Sequence, residues 1–392
     1  MQVTLLGMGG GTPQSVTAEA WDAIRDAELV IGAARLLDAL PPIKGQRRCA
    51  AVRAEEITAL LAQKSRACVI FSGDTGFHSG AQQLLLRQRD CRVLPGLSSA
   101  QLLAARLYRP WQDWTLCSAH GTDCDPIPPV MRGRPAFFLT GGTHTPATLC
   151  AELTAAGLGD VRVTVGENLT YPEETVTETT AAKAAERVFA PLSVLLVEAV
   201  PRPNVPAGGV ADEDFVRGNV PMTKREVRAA IRSHLEVRRG DTIWDVGAGT
   251  GSVSVELALT ADEGRVYAVE HDEEALALIT ENRRRFGAWN LRVVPGTAPE
   301  ALRELPAPDA VFIGGSKGNL RGIVDAALAM NPNARLCMTA ISLETLSTAL
   351  EVFREMDTEI TQIAVSRAKT NLRLLMANNP VFLLAAKRRE TT

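Results

Sequence analysis

The chain is poor in aromatic residues: 10 Phe, 5 Trp and 3 Tyr make up 5% of its 392 residues. Nucleic-acid binders rely on stacking aromatics or a broad basic stripe, and a net charge of −3 supplies no general basic field. No nucleic-acid partner is therefore expected. The 7 cysteines, at 49, 68, 91, 117, 124, 150 and 337, form no C-x-x-C and no metal-ligand spacing, so no metal site is expected. Their odd number points to reduced thiols. No apolar run is long enough to span a bilayer, and Val3 enters a strand at once with no signal peptide before it. Internal repeats and low-complexity tracts are absent. These absences leave a cytoplasmic chain with no membrane partner. With 46% apolar and 22% charged residues over this length, about two domains are expected.

What the chain does have is glycine placed after strands. Asp241 to Trp244 reads as a strand, Ser252 to Thr260 as an apolar helix, and between them runs Asp245-Val-Gly247-Ala248-Gly249-Thr250-Gly251. Strand, glycine loop and helix together mark a nucleotide site. The next strand, Arg265 to Val269, ends in Glu270, placed to accept both hydroxyls of a ribose. A dinucleotide needs G-x-G-x-x-G and a pyrophosphate at the helix start. Here the spacing is D-x-G-x-G-x-G, and Asp245 would repel a phosphate. An acid at this point suits a ligand with a cationic amino-acid end.

Earlier in the chain, Val3 to Leu6 reads as a buried strand running into Gly7–Gly11. A helix over Ala18–Asp26, a strand over Leu29–Ile31, a helix near Glu55–Gln63 and a strand over Ala67–Phe71 continue an α/β alternation. The strand at Leu29–Ile31 ends at Gly32 with no acid, which argues against a dinucleotide. Loops Ser72–Gly80 and Pro95–Ser99 follow the strands Ala67–Phe71 and Arg92–Leu94. Three small-residue loops at strand ends would line one edge of an open parallel sheet, where ligands bind.

The stretches LLGMGGGTPQSVT, FSGDTGFHSG and PGLSSAQLLAARLYRPW, with CSAHG and TPATLCAELTAAGLGDVRVTVGENLTYPEE, resemble the tetrapyrrole methylase family, in particular its precorrin C5-methylating branch. The resemblance covers essentially residues 1–200. It implies two α/β subdomains holding S-adenosylmethionine between them, at Gly9, Gly10, Gly73, Asp74, Ser98 and Ser99. His120 stands either as a turn residue or at substrate carboxylates. Gly10 and Thr75 occupy places where the family carries proline, and both are expected to loosen their loops.

Pro201-Arg-Pro-Asn-Val-Pro206 and Gly208-Gly209 read as a connector, giving a linker at 201–214 and a second domain at 215–392. From Gly209 the sequence GVADEDFVRGNVPMTKREVRAAIRSHLEVRRGDTIWDVGAGTGSVSVELA resembles the precorrin C15-methylating, decarboxylating methyltransferases. That implies a Rossmann-like class I methyltransferase domain. Thr223, with Glu226, reads as a capping box, and the resemblance puts Thr223 at the donor. Lys224, Arg225, Arg228 and Arg232 largely share one helix side, either as a solvated basic face or as a rim for a polycarboxylate. Arg283 to Arg285 reads as a cationic helix C-terminus. The resemblance places Ala298 at the adenine. Gly314-Gly-Ser316-Lys317-Gly-Asn319 follows the strand Asp309–Ile313, and Lys317 departs from the family's glycine. It either grips a substrate carboxylate or points into water. RLLMANNPVFLLAAKRR resembles the family's last hairpin strand, beside the sheet edge.

Taken together, the resemblances imply two unrelated folds in one chain, each with one S-adenosylmethionine. They would act on a reduced tetrapyrrole with acetate and propionate chains, methylating C5 in residues 1–200 and C15 in 215–392, where the C12 acetate is also lost. Those meso carbons are enamine-like nucleophiles and need no strong protein base. The family further implies a homo-oligomer. The alternative is a tRNA base methyltransferase domain joined to a non-catalytic dimerisation module.

Overall fold

The computed structural model describes residues 2–62, 66–87, 90–202, 205–206, 208–368 and 375–389. Gln63, Pro203, Asn204, Arg373 and Leu374, which fall within elements expected from sequence, lie outside the described residues. The chain divides into two compact units. One comprises Met1–Pro126, Arg134–Thr154 and Gly159–Ala199; the other comprises Ile127–Gly133, Ala155–Leu158 and Val200–Thr392.

The first unit contains two sheets. β1 (Gln2–Gly7), β2 (Leu29–Gly32), β3 (Arg47–Ala50), β4 (Arg66–Phe71) and β5 (Arg92–Leu94) form a parallel sheet in the order β3-β2-β4-β1-β5. Val3 to Gly7 are all buried, as a central parallel strand covered on both faces requires. Because β4, β1 and β5 are neighbours, the loops after them emerge side by side. The helix Ala18–Asp26 has the expected bounds and starts at Thr17, whose side chain accepts from the Ala20 N–H. The second sheet comprises β6 (Thr115–Ser118), β7 (Ala136–Leu139), β8 (Arg162–Glu167), β9 (Thr175–Thr180) and β10 (Ser193–Val197), in the order β6-β7-β10-β8-β9. Only its β6–β7 pair is parallel.

The second unit is a seven-stranded sheet, β13-β12-β11-β14-β15-β19-β16. Its strands are β11 (Thr242–Val246), β12 (Arg265–Glu270), β13 (Leu291–Pro295), β14 (Ala310–Ile313), β15 (Arg335–Ala340), β16 (Asp357–Ile363) and β19 (Val381–Lys387), with the ribbon β17 (Ser366–Ala368) and β18 (Leu375–Ala377) between the last two. Alternate residues face opposite layers. Trp244, Val311 and Leu336 belong to one core cluster, and Ile243, Phe312 and Cys337 to the other. Trp244 is fully buried and satisfies its indole N–H on the Pro306 carbonyl at 3.1 Å.

One expectation changes. β11 runs on through Asp245 and Val246, so Asp245 is a strand residue and not a loop residue. The last strand does lie beside the sheet edge: β19 inserts antiparallel between β15 and β16, and β16 forms the edge. Its apolar run explains the placement, because Leu383 and Leu384 are both buried, as an inner strand requires. Among the described residues, no helix is long and apolar enough to cross a membrane, and no group of His, Cys, Asp and Glu could hold a metal ion.

Candidate functional site

In the second unit, the carboxyl ends of β11, β12, β13 and β14 surround a crevice of about 180 Å³. Gly247, Glu270, Ala298, Ser316 and Lys317 line it. Gly247 has a φ of +73°, and a Cβ there would lie 2.7 Å from the Gly315 amide nitrogen, so glycine alone lets the two loops meet. Glu270 is buried at the tip of β12. One carboxylate oxygen accepts from Gly249 N–H at 3.0 Å; the other accepts from His271 N–H at 2.8 Å and Asp272 N–H at 3.1 Å. Burial alone would raise its pKa, but these backbone donors and His271 hold it below the usual carboxylate range. The group is an anion locked into the glycine loop.

Asp245 is fully buried and does not line the crevice. Its Oδ2 accepts from the Ser254 hydroxyl, while Oδ1 has no partner. Burial pushes its carboxyl up to about 7, despite the opposing hydrogen bonds from Ser254 and with a further push from Glu270. Thr250 is likewise buried with an unpartnered hydroxyl. Ala248 and Gly251 complete the loop, and Gly251 caps the helix Ser252–Thr260 in the left-handed region.

Lys317 is exposed at the crevice and has a side-chain partner. Its ammonium meets His271 Nε2, and His271 Nδ1 lies 2.7 Å from Glu270. Donation from Nδ1 to Glu270 leaves Nε2 as the acceptor for the lysine. Asn319 lies outside the crevice, as the residue before the helix Leu320–Met330. Thr223 and Lys224 also do not line it, although the chain just before them passes the loop: a Cβ on Gly249 would be 3.4 Å from the Pro221 carbonyl.

The capping box at Thr223 is absent. The helix runs Arg225–His234 with Lys224 as N-cap, and the Arg225 N–H is taken by Asp212 at 2.9 Å, while Glu226 pairs with Arg367. The basic face is not a face either. Arg228 is wholly buried, paired to Asp212 and Glu256 at 2.9 Å each, donating to the Val210 carbonyl and lying over the Phe215 ring. Arg232 Nε stands 3.2 Å from Glu256 as an ion pair without hydrogen-bond alignment. This cluster binds the end of the expected linker into the second unit. Arg283, Arg284 and Arg285 do form the last turn of the helix Glu273–Arg285.

In the first unit, a crevice of about 310 Å³ lies at the loops after β1 and β4, with walls from both sheets. Gly9, Gly10, Gly73, Asp74, Ser99 and His120 line it. Gly9 and Gly73 exchange two backbone hydrogen bonds, at 3.2 and 2.7 Å, which lace the first two loops together. Asp74 accepts from Gly76 N–H at 2.8 Å and from Gly96 N–H at 3.1 Å, tying in the third. Ser98 faces away and closes a capping box with Gln101 on the helix Ser99–Arg106. His120 Nδ1 sits 3.3 Å from the Thr140 carbonyl.

At the two positions without proline the loops meet distant residues. The Thr170 hydroxyl donates to the Gly10 carbonyl at 3.2 Å, and a Cβ on Gly10 would be 2.2 Å from that hydroxyl. Thr75 is buried and donates to the Leu94 carbonyl at 3.4 Å. Sequence reasoning missed both contacts, and it missed Arg35, which enters this crevice from the helix after β2.

Comparison with known proteins follows the same division. Residues 2–185 match the family model of tetrapyrrole (corrin/porphyrin) methylases, and residues 214–387 match that of a precorrin methyltransferase domain. A Sinorhizobium protein named precorrin-6Y C(5,15)-methyltransferase [decarboxylating] is 31% identical, over 93% of this chain and 91% of its own. A Salmonella typhimurium protein named cobalt-precorrin-6B C(15)-methyltransferase (decarboxylating) is 42% identical, over 46% of this chain and 96% of its own. A crystal structure titled precorrin-6Y C5,15-methyltransferase from Geobacter metallireducens covers 47% of this chain and all of its own, at 34% identity and a TM-score of 0.46. Nothing among these relatives supports the tRNA alternative.

Proposed function

The chain belongs to the precorrin-6Y C5,15-methyltransferase (decarboxylating) family, and from that premise we propose that its units are two methyltransferases serving different carbons of one ring. The overall reaction is S-adenosylmethionine-dependent methylation of a precorrin at C5 and C15 with loss of the C12 acetate carboxyl, in cobalamin biosynthesis. The first unit takes C5; the second takes C15 and the decarboxylation. The observation that carries this division is a pair of crevices, each at the carboxyl ends of its own parallel strands and each floored by strand-end glycines. The Salmonella relative, named for C15 alone, matches a share of this chain the size of one unit.

The residues present suit the donor. In the second unit, Gly247 and Gly315 pack so closely that no Cβ fits at Gly247, which leaves a cradle of bare backbone. Glu270 would hold the ribose, Ala298 would meet the adenine, and Asp245 with its orphaned oxygen backs the loop near the amino-acid end. In the first unit, Gly9, Gly10, Gly73, Asp74 and Ser99 would hold a second copy. When bound, S-adenosylmethionine supplies an electrophilic methyl on a sulfonium.

The protein's own share is positioning, which can contribute up to roughly 7–11 kcal/mol. No nucleophilic thiol is needed, and burial pushes Cys68 and Cys150 up to about 12, leaving both inert near neutrality. The braced loops of the first unit and the backbone-locked Glu270 of the second keep each crevice shaped before ligand arrives.

The test uses the full chain with labelled donor and product mass spectrometry. Gly247→Val should cut C15 methylation and carbon dioxide loss by at least about 100-fold, with C5 methylation retained, because a branched side chain at positive φ closes the cradle. Gly10→Val should give the reverse. Loss of both methylations in either variant would refute the division.

A further inference from the structure

Several arginines of the first unit are matched to carboxylates, while Arg48 is spent on the backbone carbonyls of Leu37, Leu40 and Pro41. Arg106 pairs with Glu174, Arg109 with Glu198 and Arg162 with Glu178. Arg35, in the crevice, is not. Its Nη1 donates to the Tyr171 hydroxyl and its Nη2 to the Ser72 hydroxyl, each at 2.8 Å. Among the described residues it has no carboxylate partner. Ser72 belongs to the loop after β4, beside the first sheet, and Tyr171 to the loop after β8, in the second. The guanidinium is thus held from both walls by neutral oxygens. Such contacts fix its orientation without cancelling its charge, and they leave further N–H groups unassigned.

The other charged groups facing this crevice do not answer it. Asp74 directs both oxygens at backbone N–H groups, and the remaining ionisable residues of the lining are His78 and His120. A pre-oriented cation with no anion beside it, in an open crevice, fits a ligand that brings its own carboxylate. We propose that Arg35 is the carboxylate anchor of the first unit's crevice, pinned by Tyr171 and Ser72 so that it meets the ligand already oriented. This rests on the reading of that unit as the C5 methyltransferase. The carboxylate belongs either to an acetate or propionate chain of the precorrin or to the amino-acid end of the donor, and kinetics separates the two.

The experiment measures C5 and C15 methylation separately in full-chain Arg35→Leu, Arg35→Lys and Tyr171→Phe. In Arg35→Leu, the KM of C5 methylation for one carboxylate-bearing ligand should rise about 10- to 100-fold, with kcat little changed and C15 methylation untouched. A rise for precorrin assigns the anchor to the ring's side chains; a rise for S-adenosylmethionine assigns it to the donor. Arg35→Lys should recover part of the loss, since it keeps the charge but not the fork. Tyr171→Phe should cost only a few-fold. Added salt should raise the native KM more than that of Arg35→Leu, a response that a purely structural arginine would not give. If Arg35→Leu loses secondary structure by circular dichroism, Arg35→Lys and Tyr171→Phe carry the test. Unchanged KM values for both ligands would overturn the anchor alone. A change confined to C15 methylation would overturn the allocation of carbons, and the anchor with it.

Discussion

In the first unit the crevice measures about 310 Å³ and its walls come from two sheets; in the second it measures about 180 Å³ and sits on the ends of one. The contrast extends to how polar groups are treated. The first unit's loops satisfy themselves, through the Gly9–Gly73 exchange, the Asp74 bonds and the hydroxyls of Thr75 and Thr170. The second unit keeps buried polar atoms without partners, Asp245 Oδ1 and Thr250 Oγ1, beside an anion held by backbone N–H groups. One crevice is braced and wide, the other tight and costly to bury. On the proposed reading, one donor would be held in the first unit by loops stitched together and in the second by a loop built around buried acids. Only the second design should make stability depend on a buried titration.

The largest effect expected from breaking this contrast lies at Arg228. Replacing it by Met leaves Asp212 and Glu256 without their buried partner and frees the segment at Val210. The second unit should lose about 3–5 kcal/mol, read by hydrogen exchange, with first-unit protection unchanged. Equal loss in both units would erase the distinction.

Next comes Asp245→Asn. The folded carboxyl titrates at about 7, against roughly 3.9 in an unfolded chain. The folded state therefore keeps a proton that the unfolded state has released, and this group's contribution to second-unit stability falls as pH rises from about 4 to 7. The asparagine variant should lack this slope, so its stability relative to the native chain should rise across that window by on the order of a few kcal/mol. Denaturant titrations at each pH check this, and parallel curves would remove the buried acid from the account.

The smallest effect belongs to the first unit. Thr170→Ala removes one hydrogen bond to the Gly10 carbonyl and should cost about 1 kcal/mol there, with a few-fold rise in the KM of C5 methylation for the donor and none for C15.

The strand-end glycines were legible because their meaning is local: a strand, a tight turn and a helix follow one another in the chain. The bounds of Ala18–Asp26 and Ser252–Thr260 were read for the same reason. What stayed hidden depends on partners far away in sequence. Nothing about Arg228 distinguishes it from a solvated helix residue until Asp212 and Glu256 are brought to it. Arg35 and Tyr171 are separated by 136 positions. The partner of the Gly10 carbonyl, Thr170, is 160 positions away.

The central claim is that one chain holds the donor twice. Calorimetric titration of S-adenosylhomocysteine into the full chain tests it most directly. Two equivalents per chain are expected, falling to one in Gly247→Val; one equivalent in the native chain would contradict it.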